Sequence, residues 1–248
     1  QAKPEQILIT MGGQNALWLA AQVLLNQRRT AVMENPGYPG LRVALNLARC
    51  NVVNVPVDHA GMRLDALPAE TDVVFTTPSH HCPTSVTMPL ERRQELLRMA
   101  SRHDFLIVED DYEFEMSFLN PPAPALKSLD EEGRVIYVGS FSKSLFPGLR
   151  LGYMVGSETF IREAREAARS AECAVAGEDD PLGARLRGLA TDLASGVEDE
   201  TLRRRIARDA AGHPLRALPD LGAPQQVPRL SEAWYCCAEP TSGQFSRV

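Results

Sequence analysis

The sequence is poor in cysteine, in positive charge and in long hydrophobic runs. Its 248 residues include 26 Lys and Arg against 32 Asp and Glu, a formal net charge of −6. The overall charge therefore gives no reason to expect binding to nucleic acid or to an anionic membrane. No window approaches the roughly eighteen apolar residues of a membrane-spanning helix, and the first six residues lack the apolar core of a signal peptide. We expect a cytoplasmic protein without a membrane or nucleic-acid partner.

Cysteine is too scarce and too irregularly spaced for a structural role. The five cysteines form an odd set without a CxxC pair: Cys50, Cys82, Cys173, Cys236 and Cys237. This pattern argues against a disulfide framework and against a zinc site. The neighbouring His80, His81 and Cys82 do not alter that expectation, because adjacent residues on a strand point to opposite sides and rarely chelate together. The sequence predicts reduced thiols and no bound metal.

Short β-rich runs alternate with helical patterns from the start of the chain to Val155. Apolar residues recur at helical spacing from Gln14 to Leu25 and from Leu41 to Ala48, each time after a β-rich run. This alternation predicts an α/β fold with three layers, α/β/α, around a mostly parallel seven-stranded sheet. The predicted strands are Ile7 to Thr10, Ala31 to Glu34, Val52 to Val57, Val73 to Thr77, Phe105 to Glu109, Val135 to Gly139 and Leu151 to Val155.

The helix predicted between the fourth and fifth strands has an apolar and a charged face. Its apolar face carries Leu90, Leu96, Leu97 and Ala100, and its opposite face carries Glu91, Arg92, Arg93 and Glu95. After about residue 159 the composition changes, because Arg and Ala dominate and strands vanish. Helical stretches are predicted at Ile161 to Arg169 and Glu200 to Asp209, followed by a proline-rich end, Leu218 to Val248, predicted to be loop or partly disordered. We therefore predict a large domain over residues 1–158 and a helical, then partly disordered region over residues 159–248.

Candidate functional residues follow the strands, because ligands of parallel α/β sheets bind at the carboxyl ends of strands. Gly12, Gly13 and Gln14 lead from the first strand into a helix, where free N–H groups and the helix dipole can hold a phosphate. Such a glycine pair is more often a plain turn. The run Glu109-Asp110-Asp111-Tyr112 follows the fifth strand, where carboxylates can also serve as helix caps or solvated acids.

The segment after the sixth strand decides between these interpretations. In a mostly enclosed site Lys143 can lose its proton and attack an aldehyde to form a Schiff base. The hydroxyls of Ser140 and Ser142 and the guanidinium of Arg150 can ligate phosphate oxygens. One ligand needs all of these groups together, namely pyridoxal phosphate. It requires a lysine, a phosphate cup, a carboxylate at its ring nitrogen and usually an aromatic side chain on one ring face.

Six motifs stand in order between Pro4 and Val155: PEQILITMGGQNAL, ENPGYPG, VPVDHAGM, TTPSHHCPTSVTM, VEDDYEFE and GSFSKSLFPGLRLGY. Together they resemble the fold type I pyridoxal-phosphate enzymes of the class I/II aminotransferase family. Within that family they are most similar to the aminotransferase-like domain of MocR-type transcription regulators. The resemblance implies pyridoxal 5'-phosphate as cofactor, an amino acid or amine as ligand, and a homodimer.

The resemblance also implies roles for individual residues. Lys143 corresponds to the Schiff-base lysine, which also moves the proton at the substrate α-carbon. Asp110 corresponds to the partner of the pyridinium nitrogen, with Asp111 as a solvated neighbour. Tyr112 corresponds to the phenol that hydrogen-bonds the ring oxygen of the cofactor. Tyr38 corresponds to the aromatic residue stacked on the ring, although taken alone it would be a packing residue.

The phosphate cup implied by the resemblance consists of Gly13 and Gln14, mainly through backbone N–H groups, together with Ser140 and Arg150. Ser142 either joins this cup or caps the turn. His80 matches a Ser-His motif of the MocR branch and either lines the site or makes a structural hydrogen bond.

The chain also departs from the family pattern. Cys82 stands where many aminotransferases have an asparagine. Ser85 replaces a glycine, which strains the turn if a positive φ is needed there. The arginine that binds the substrate carboxylate cannot be assigned among Arg185, Arg187, Arg203, Arg204, Arg205 and Arg208, for which a solvated helix face is the alternative.

Three functions are compatible with these motifs. The first is an aminotransferase that moves an amino group between an amino acid and a keto acid. The second is the effector-sensing part of a MocR-type regulator without its DNA-binding part, where an amine ligand shifts a conformational equilibrium. The third is a truncated relative without turnover. In the family, a segment before the first strand and a C-terminal small domain help to close the site, and neither is recognisable in this sequence.

Overall fold

Strands and helices alternate along the chain as the sequence predicts. The computed structural model describes residues 2–112, 123–141 and 151–170. The strands are β1 (Ile7–Thr10), β2 (Thr30–Asn35), β3 (Asn51–Asp58), β4 (Gly61–Met62), β5 (Val73–Thr76), β6 (Leu106–Asp111), β7 (Val135–Ser140) and β8 (Gly152–Val155). The helices are α1 (Gly13–Leu24), α2 (Pro39–Ala48), α3 (Leu90–His103), α4 (Leu126–Leu129) and α5 (Glu158–Ser170).

The strands form one mixed sheet in the order β1-β8-β7-β6-β5-β2-β3-β4. Strands β7, β6, β5, β2 and β3 pair in parallel, while β8 is antiparallel to both β1 and β7, and β4 is antiparallel to β3. Among the described strands only β8 and β4 are therefore reversed. The prediction of a mostly parallel sheet is confirmed, but the strand number is eight rather than seven. The additional strand, β4, has two residues, too few for an alternating pattern to reveal it.

Helices cover both faces of the sheet, which confirms the three-layer α/β/α prediction. Alternate residues of each strand point to opposite faces. Val108 and Val138 pack in the core shared with α1, α2 and α5, whereas Ile107 and Val135 pack in the core shared with α3 and α4. A residue at the carboxyl end of a strand therefore points to the same face as the core residue two positions before it, and to the face opposite the core residue one position before it.

Arg93 of α3 lies inside the molecule, not on the charged outer face predicted for this helix. Its side chain is completely buried. Its guanidinium donates hydrogen bonds to the carbonyl oxygens of Met88 (2.9 Å), Pro124 (2.9 Å) and Pro78 (2.8 Å). Each of the three guanidinium nitrogens therefore has one main-chain acceptor, which makes burial of the arginine tolerable.

Helix α5 confirms the helix predicted from Ile161 to Arg169. Phe160, Ile161, Ala164 and Ala168 are buried in the core on the α1 side of the sheet. The division of the chain at residue 158 stays a prediction, and the predictions for residues 171–248 lie outside the described part of the chain. No helix within the described ranges is long and apolar enough to cross a membrane.

Candidate active site

Three sequence-predicted residues meet where α1 begins and β6 and β7 end. Asp110 lies two residues after Val108, and Ser140 lies two residues after Val138, so both belong to the α1 face of the sheet. A Cβ atom placed on Gly13 would lie 3.9 Å from Ser140 Cβ and 4.0 Å from Asp110 Oδ1. The fold therefore brings Gly13, Asp110 and Ser140 together from distant parts of the sequence.

The start of α1 provides backbone donors at the same place. Gly12 precedes the helix with a φ of 86°, a conformation that favours glycine. At this end of α1, the first main-chain hydrogen bond of the helix runs from Ala16 N to Gly12 O (3.2 Å). The N–H groups of residues 13–15 precede that bond and lie outside the helical ladder. Backbone donors of this kind, together with the helix dipole, favour an anionic group.

Gln14 connects α1 to α2 through its side chain. Its Nε2 donates a hydrogen bond to Gly40 O (2.9 Å), whereas its Oε1 is buried without a hydrogen-bond partner among the described residues. The role predicted for Gln14 concerns its backbone N–H, which is available in the first turn of α1. The side chain instead aligns the two helices that border the cleft.

Tyr38 is placed by two close approaches of the backbone. A Cβ on Gly37 would lie 2.3 Å from Glu34 O, and a Cβ on Gly40 would lie 2.6 Å from Tyr38 Cε1 and Cζ. Only glycine allows the chain to fold back on Glu34 and the phenol ring to lie against position 40. Tyr38 lines the same cleft as Glu34 and Asp110. The predicted ring-stacking residue therefore lies beside the predicted partner of the ring nitrogen.

Asp110 is a partly buried carboxyl with an unusual electrostatic environment. Burial raises its pKa to about 7, and the nearby carboxyls of Asp111 and Glu34 raise it as well. Among the described residues, neither a hydrogen-bond donor nor a cation is a cause of this pKa shift. A carboxyl in such a place is stabilised in its charged form by a cationic ligand. A protonated ring nitrogen is one such ligand.

Asp111 is buried rather than solvated, which corrects the sequence prediction. It accepts hydrogen bonds from Ser79 Oγ (3.2 Å) and from the hydroxyl of Tyr137 (3.3 Å), both through Oδ2. The reason is strand alternation, because Asp111 lies on the sheet face opposite Asp110, beneath the chain segment that follows β5.

His80 and His81 have separate environments. The imidazole of His80 packs edge-on against the ring of Tyr112, with ring centroids 6.1 Å apart, so two predicted site residues are neighbours. His81 is buried, its Nδ1 lies 2.7 Å from Thr84 Oγ1, and its Nε2 lies 3.4 Å from Glu34 Oε2.

Glu34 is a strand-end residue that the sequence analysis missed, and its carboxyl lies on the sheet face opposite Asp110, since Met33 beside it packs on the α1 face. Its Oε1 accepts a hydrogen bond from Thr76 Oγ1 (2.7 Å), and its Oε2 accepts hydrogen bonds from Thr77 N (3.1 Å) and Thr77 Oγ1 (2.7 Å). Burial raises its pKa to about 7, against the opposing effect of these hydrogen bonds. The strand-end rule applied to Asp110 also identifies Glu34, since it lies at the carboxyl end of buried β2.

A family model described as aminotransferase class I and II matches residues 1–176. The chain belongs to this family. It is 53% identical over 215 residues to the HTH-type transcriptional regulator TauR of Rhodobacter capsulatus, covering 87% of this chain and 42% of the regulator. It is also 37% identical over 176 residues to aromatic-amino-acid aminotransferase 1 of Thermococcus litoralis, covering 67% of this chain and 42% of that enzyme.

The fold of this family member matches solved aminotransferases. Kynurenine aminotransferase of Pyrococcus horikoshii, solved in complex with PMP, superposes with a TM-score of 0.69 at 34% identity, covering 82% of this chain and 51% of the enzyme. The chain spans between 32% and 43% of the length of the curated regulators it matches. The similarity therefore concerns the aminotransferase-like domain.

Ser85, where the family pattern has a glycine, adopts a φ of 60°. The turn therefore does require the left-handed conformation, which costs a residue with a Cβ roughly 1 kcal/mol. Three other predicted residues of the aminotransferase pattern, Ser142, Lys143 and Arg150, lie outside the described residues. Their roles stay predictions.

Proposed function

We propose that this aminotransferase-like domain binds pyridoxal phosphate and transfers an amino group between an amino acid and a keto acid. The observation that carries the proposal is the environment of Asp110. Its carboxyl lies in a cleft where the described neighbours only raise its pKa, and it adjoins Gly13 and Ser140 at a helix start. A ligand with a cationic ring nitrogen and an anionic phosphate matches both features.

The residues present fit each part of this cofactor in turn: its phosphate, its ring nitrogen, one face of its ring and its ring oxygen. The N–H groups at the start of α1, with Ser140 and Arg150, would hold the phosphate. Asp110 would hold the ring nitrogen, and Tyr38 would cover one face of the ring. Tyr112 would donate to the ring oxygen, with His80 packed against it. Lys143 would hold the cofactor covalently.

Each of these residues has a simple physical task. The chemistry that pyridoxal phosphate supplies when bound is an electron sink for the substrate α-carbon. Asp110 keeps a proton at the ring nitrogen, which strengthens that sink. Tyr38 excludes water from one side of the ring. Lys143 moves the proton between the substrate α-carbon and the cofactor, as a general base and acid.

A second candidate function is ligand sensing. The 53% identity to the regulator TauR favours it, because that identity extends over most of this chain. In this case the same residues would bind the cofactor and an amine without efficient turnover, and binding would shift a conformational equilibrium. A homodimer and a cytoplasmic location stay predictions under either function.

The experiment that tests the proposal combines spectroscopy with peptide mapping. The full chain is titrated with pyridoxal phosphate, reduced with borohydride and digested. We expect a visible absorption band from the bound cofactor and a reduced adduct on Lys143, with no adduct in Lys143→Ala. An adduct on another lysine would refute the assignment. A panel of amino acids with pyruvate then separates the two functions, because keto-acid formation indicates transfer and a spectral change without product indicates sensing.

A further inference from the structure

Residues 78–88 form a loop between β5 and α3 whose two ends are fixed at one place. Met88 N donates a hydrogen bond to Pro78 O (2.8 Å), which closes the loop. The buried guanidinium of Arg93 donates to the carbonyl oxygens of both end residues, Pro78 (2.8 Å) and Met88 (2.9 Å). Loop 78–88 therefore has a fixed base beside α3.

Hydrogen bonds within loop 78–88 limit its conformations. His81 N donates to Val86 O (2.9 Å), and Thr87 Oγ1 donates to Ser79 O (3.0 Å). Main-chain groups paired in this way leave the loop little freedom to change shape at a single residue. A displacement of Ser79 would therefore also displace His80, the next residue.

Two consecutive residues of this loop contact two consecutive residues at the end of β6. Ser79 Oγ donates a hydrogen bond to Asp111 Oδ2 (3.2 Å), and the imidazole of His80 packs edge-on against the ring of Tyr112. Strands β5 and β6 pair in parallel, so the segments that leave their carboxyl ends begin side by side. The polar pair Ser79–Asp111 therefore directly precedes the aromatic pair His80–Tyr112 on both segments.

Asp111 is a firm attachment point for the loop. It is only 3% exposed, and its Oδ2 also accepts a hydrogen bond from the hydroxyl of Tyr137 (3.3 Å). The two donors to this oxygen belong to different elements, because Ser79 lies in the loop and Tyr137 lies on β7. Removing each donor in turn therefore separates the position of the loop from the hydrogen bonding of the Asp111 carboxylate.

We propose that Ser79 is a positioning residue for the cofactor cleft: through its hydrogen bond to Asp111 it holds His80 against Tyr112 and so fixes the orientation of the phenol. This inference rests on the proposed function, because the phenol is the group assigned there to the ring oxygen of the cofactor. A hydrogen bond weakens steeply as its angle departs from linearity, so a phenol without its edge contact would bind that oxygen less well.

The ring contact is measured first, on the ligand-free full chain. NMR with labelled histidine and tyrosine should show cross-relaxation between the rings of His80 and Tyr112. These signals should lose intensity in Ser79→Ala and return in Ser79→Thr, which keeps a hydroxyl donor. Tyr137→Phe is the matched control, since it removes the other donor to the same Asp111 oxygen and should leave the ring contact intact. Unchanged signals in Ser79→Ala would overturn the positioning role.

The second measurement is the pH midpoint of the visible band of bound pyridoxal phosphate. A hydrogen bond donated to the ring oxygen stabilises its ionised form and so lowers the pKa of the bound cofactor. Tyr112→Phe should therefore raise the midpoint by on the order of one pH unit. Ser79→Ala should raise it by roughly half as much, and should add no shift when Tyr112 is already Phe. Tyr137→Phe should leave the midpoint unchanged.

The outcomes separate this inference from the proposed function. If the wild type binds no pyridoxal phosphate, the proposed function fails, and the ring contact in the ligand-free chain still decides the role of Ser79. If Ser79→Ala and Tyr137→Phe shift the midpoint equally, the Asp111 carboxylate rather than the loop is responsible, and the inference is overturned. It is also overturned if Ser79→Ala leaves the midpoint unchanged, or if its shift persists in the Tyr112→Phe background.

Discussion

Asp110 and Asp111 are consecutive residues whose carboxyl groups lie on opposite faces of the sheet. Asp110 Oδ1 adjoins Gly13 at the start of α1, whereas Asp111 Oδ2 accepts hydrogen bonds from Ser79 and Tyr137. One carboxyl therefore faces the candidate cofactor cleft, and the other belongs to a buried polar network. Their different environments give two identical side chains different tasks.

The two aspartates should respond differently to the same substitution. Asp110→Asn removes the charge that would hold a protonated ring nitrogen, so affinity for pyridoxal phosphate should fall by roughly tenfold or more. Asp111→Asn keeps an oxygen that can accept from Ser79 and Tyr137, so affinity should change by less than about threefold. Absorbance titration of both variants measures this contrast. Equal losses would show that the cleft does not distinguish the two carboxyls.

Gly40→Ala should weaken cofactor binding without unfolding the protein. The new Cβ would lie 2.2 Å from Gln14 Oε1 and 2.6 Å from two ring atoms of Tyr38, and these flexible side chains must move. Alanine suits helix α2, so the free energy of unfolding should change by less than about 1 kcal/mol. Affinity should fall severalfold. In a double-mutant cycle the loss should largely vanish when Tyr38 is already Ala. Additive losses would mean that Gly40 does not act through Tyr38.

Arg93→Met should be among the more damaging substitutions on α3. It leaves the carbonyls of Pro78, Met88 and Pro124 without their donor and removes a cation that faces Glu109 and Asp111. We expect a loss of about 3 to 5 kcal/mol of unfolding free energy in urea titrations.

The neighbouring Arg92→Met serves as the matched control for that substitution. Arg92 is partly exposed and donates hydrogen bonds to Asp58 (2.6 Å) and to the carbonyl oxygens of Gly61 and Met62 (3.2 Å each). Water can reach these partners, so loss of Arg92 should cost about 1 to 2 kcal/mol. A similar cost for both arginines would contradict the distinction between a fully buried and a partly exposed cation.

Stability should depend on pH through Glu109. Its carboxyl accepts hydrogen bonds from Leu126 N and Lys127 N, and burial raises its pKa from 4.5 to about 7. Between these values the folded chain holds a proton that the unfolded chain has released. The contribution of Glu109 to stability therefore falls as pH rises through this window and levels off above about pH 7.

Glu109→Gln cannot titrate and makes this contribution measurable. The unfolding free energy of the wild type minus that of Glu109→Gln should decline by up to about 1.4 kcal/mol per pH unit within the window. Urea unfolding at several pH values gives this difference, and the exposed Glu70→Gln should follow the wild-type curve. A difference that rises with pH would show that Glu109 is stabilised as a carboxylate.

Sequence reasoning located the main strands and the residues that follow them. Seven of the eight described strands follow from β-rich runs, and the missed strand β4 has only two residues. Gly13, Asp110 and Ser140 were predicted as neighbours because they end or follow strands that share one sheet edge, and the fold brings them together. The turn at Ser85 was identified as strained if it needs positive φ, and it does.

The amino-acid sequence by itself determined which residues end the strands of a mostly parallel sheet, because two-residue alternation is a local property and helical crossovers between strands indicate parallel pairing. Only the tertiary structure decided that Arg93 and Asp111 are buried and that Glu34 meets His81. Burial of a polar side chain depends on which distant segment closes over it. The partners of Arg93 at Pro78 and Pro124, on opposite sides of it in sequence, leave no local pattern to read.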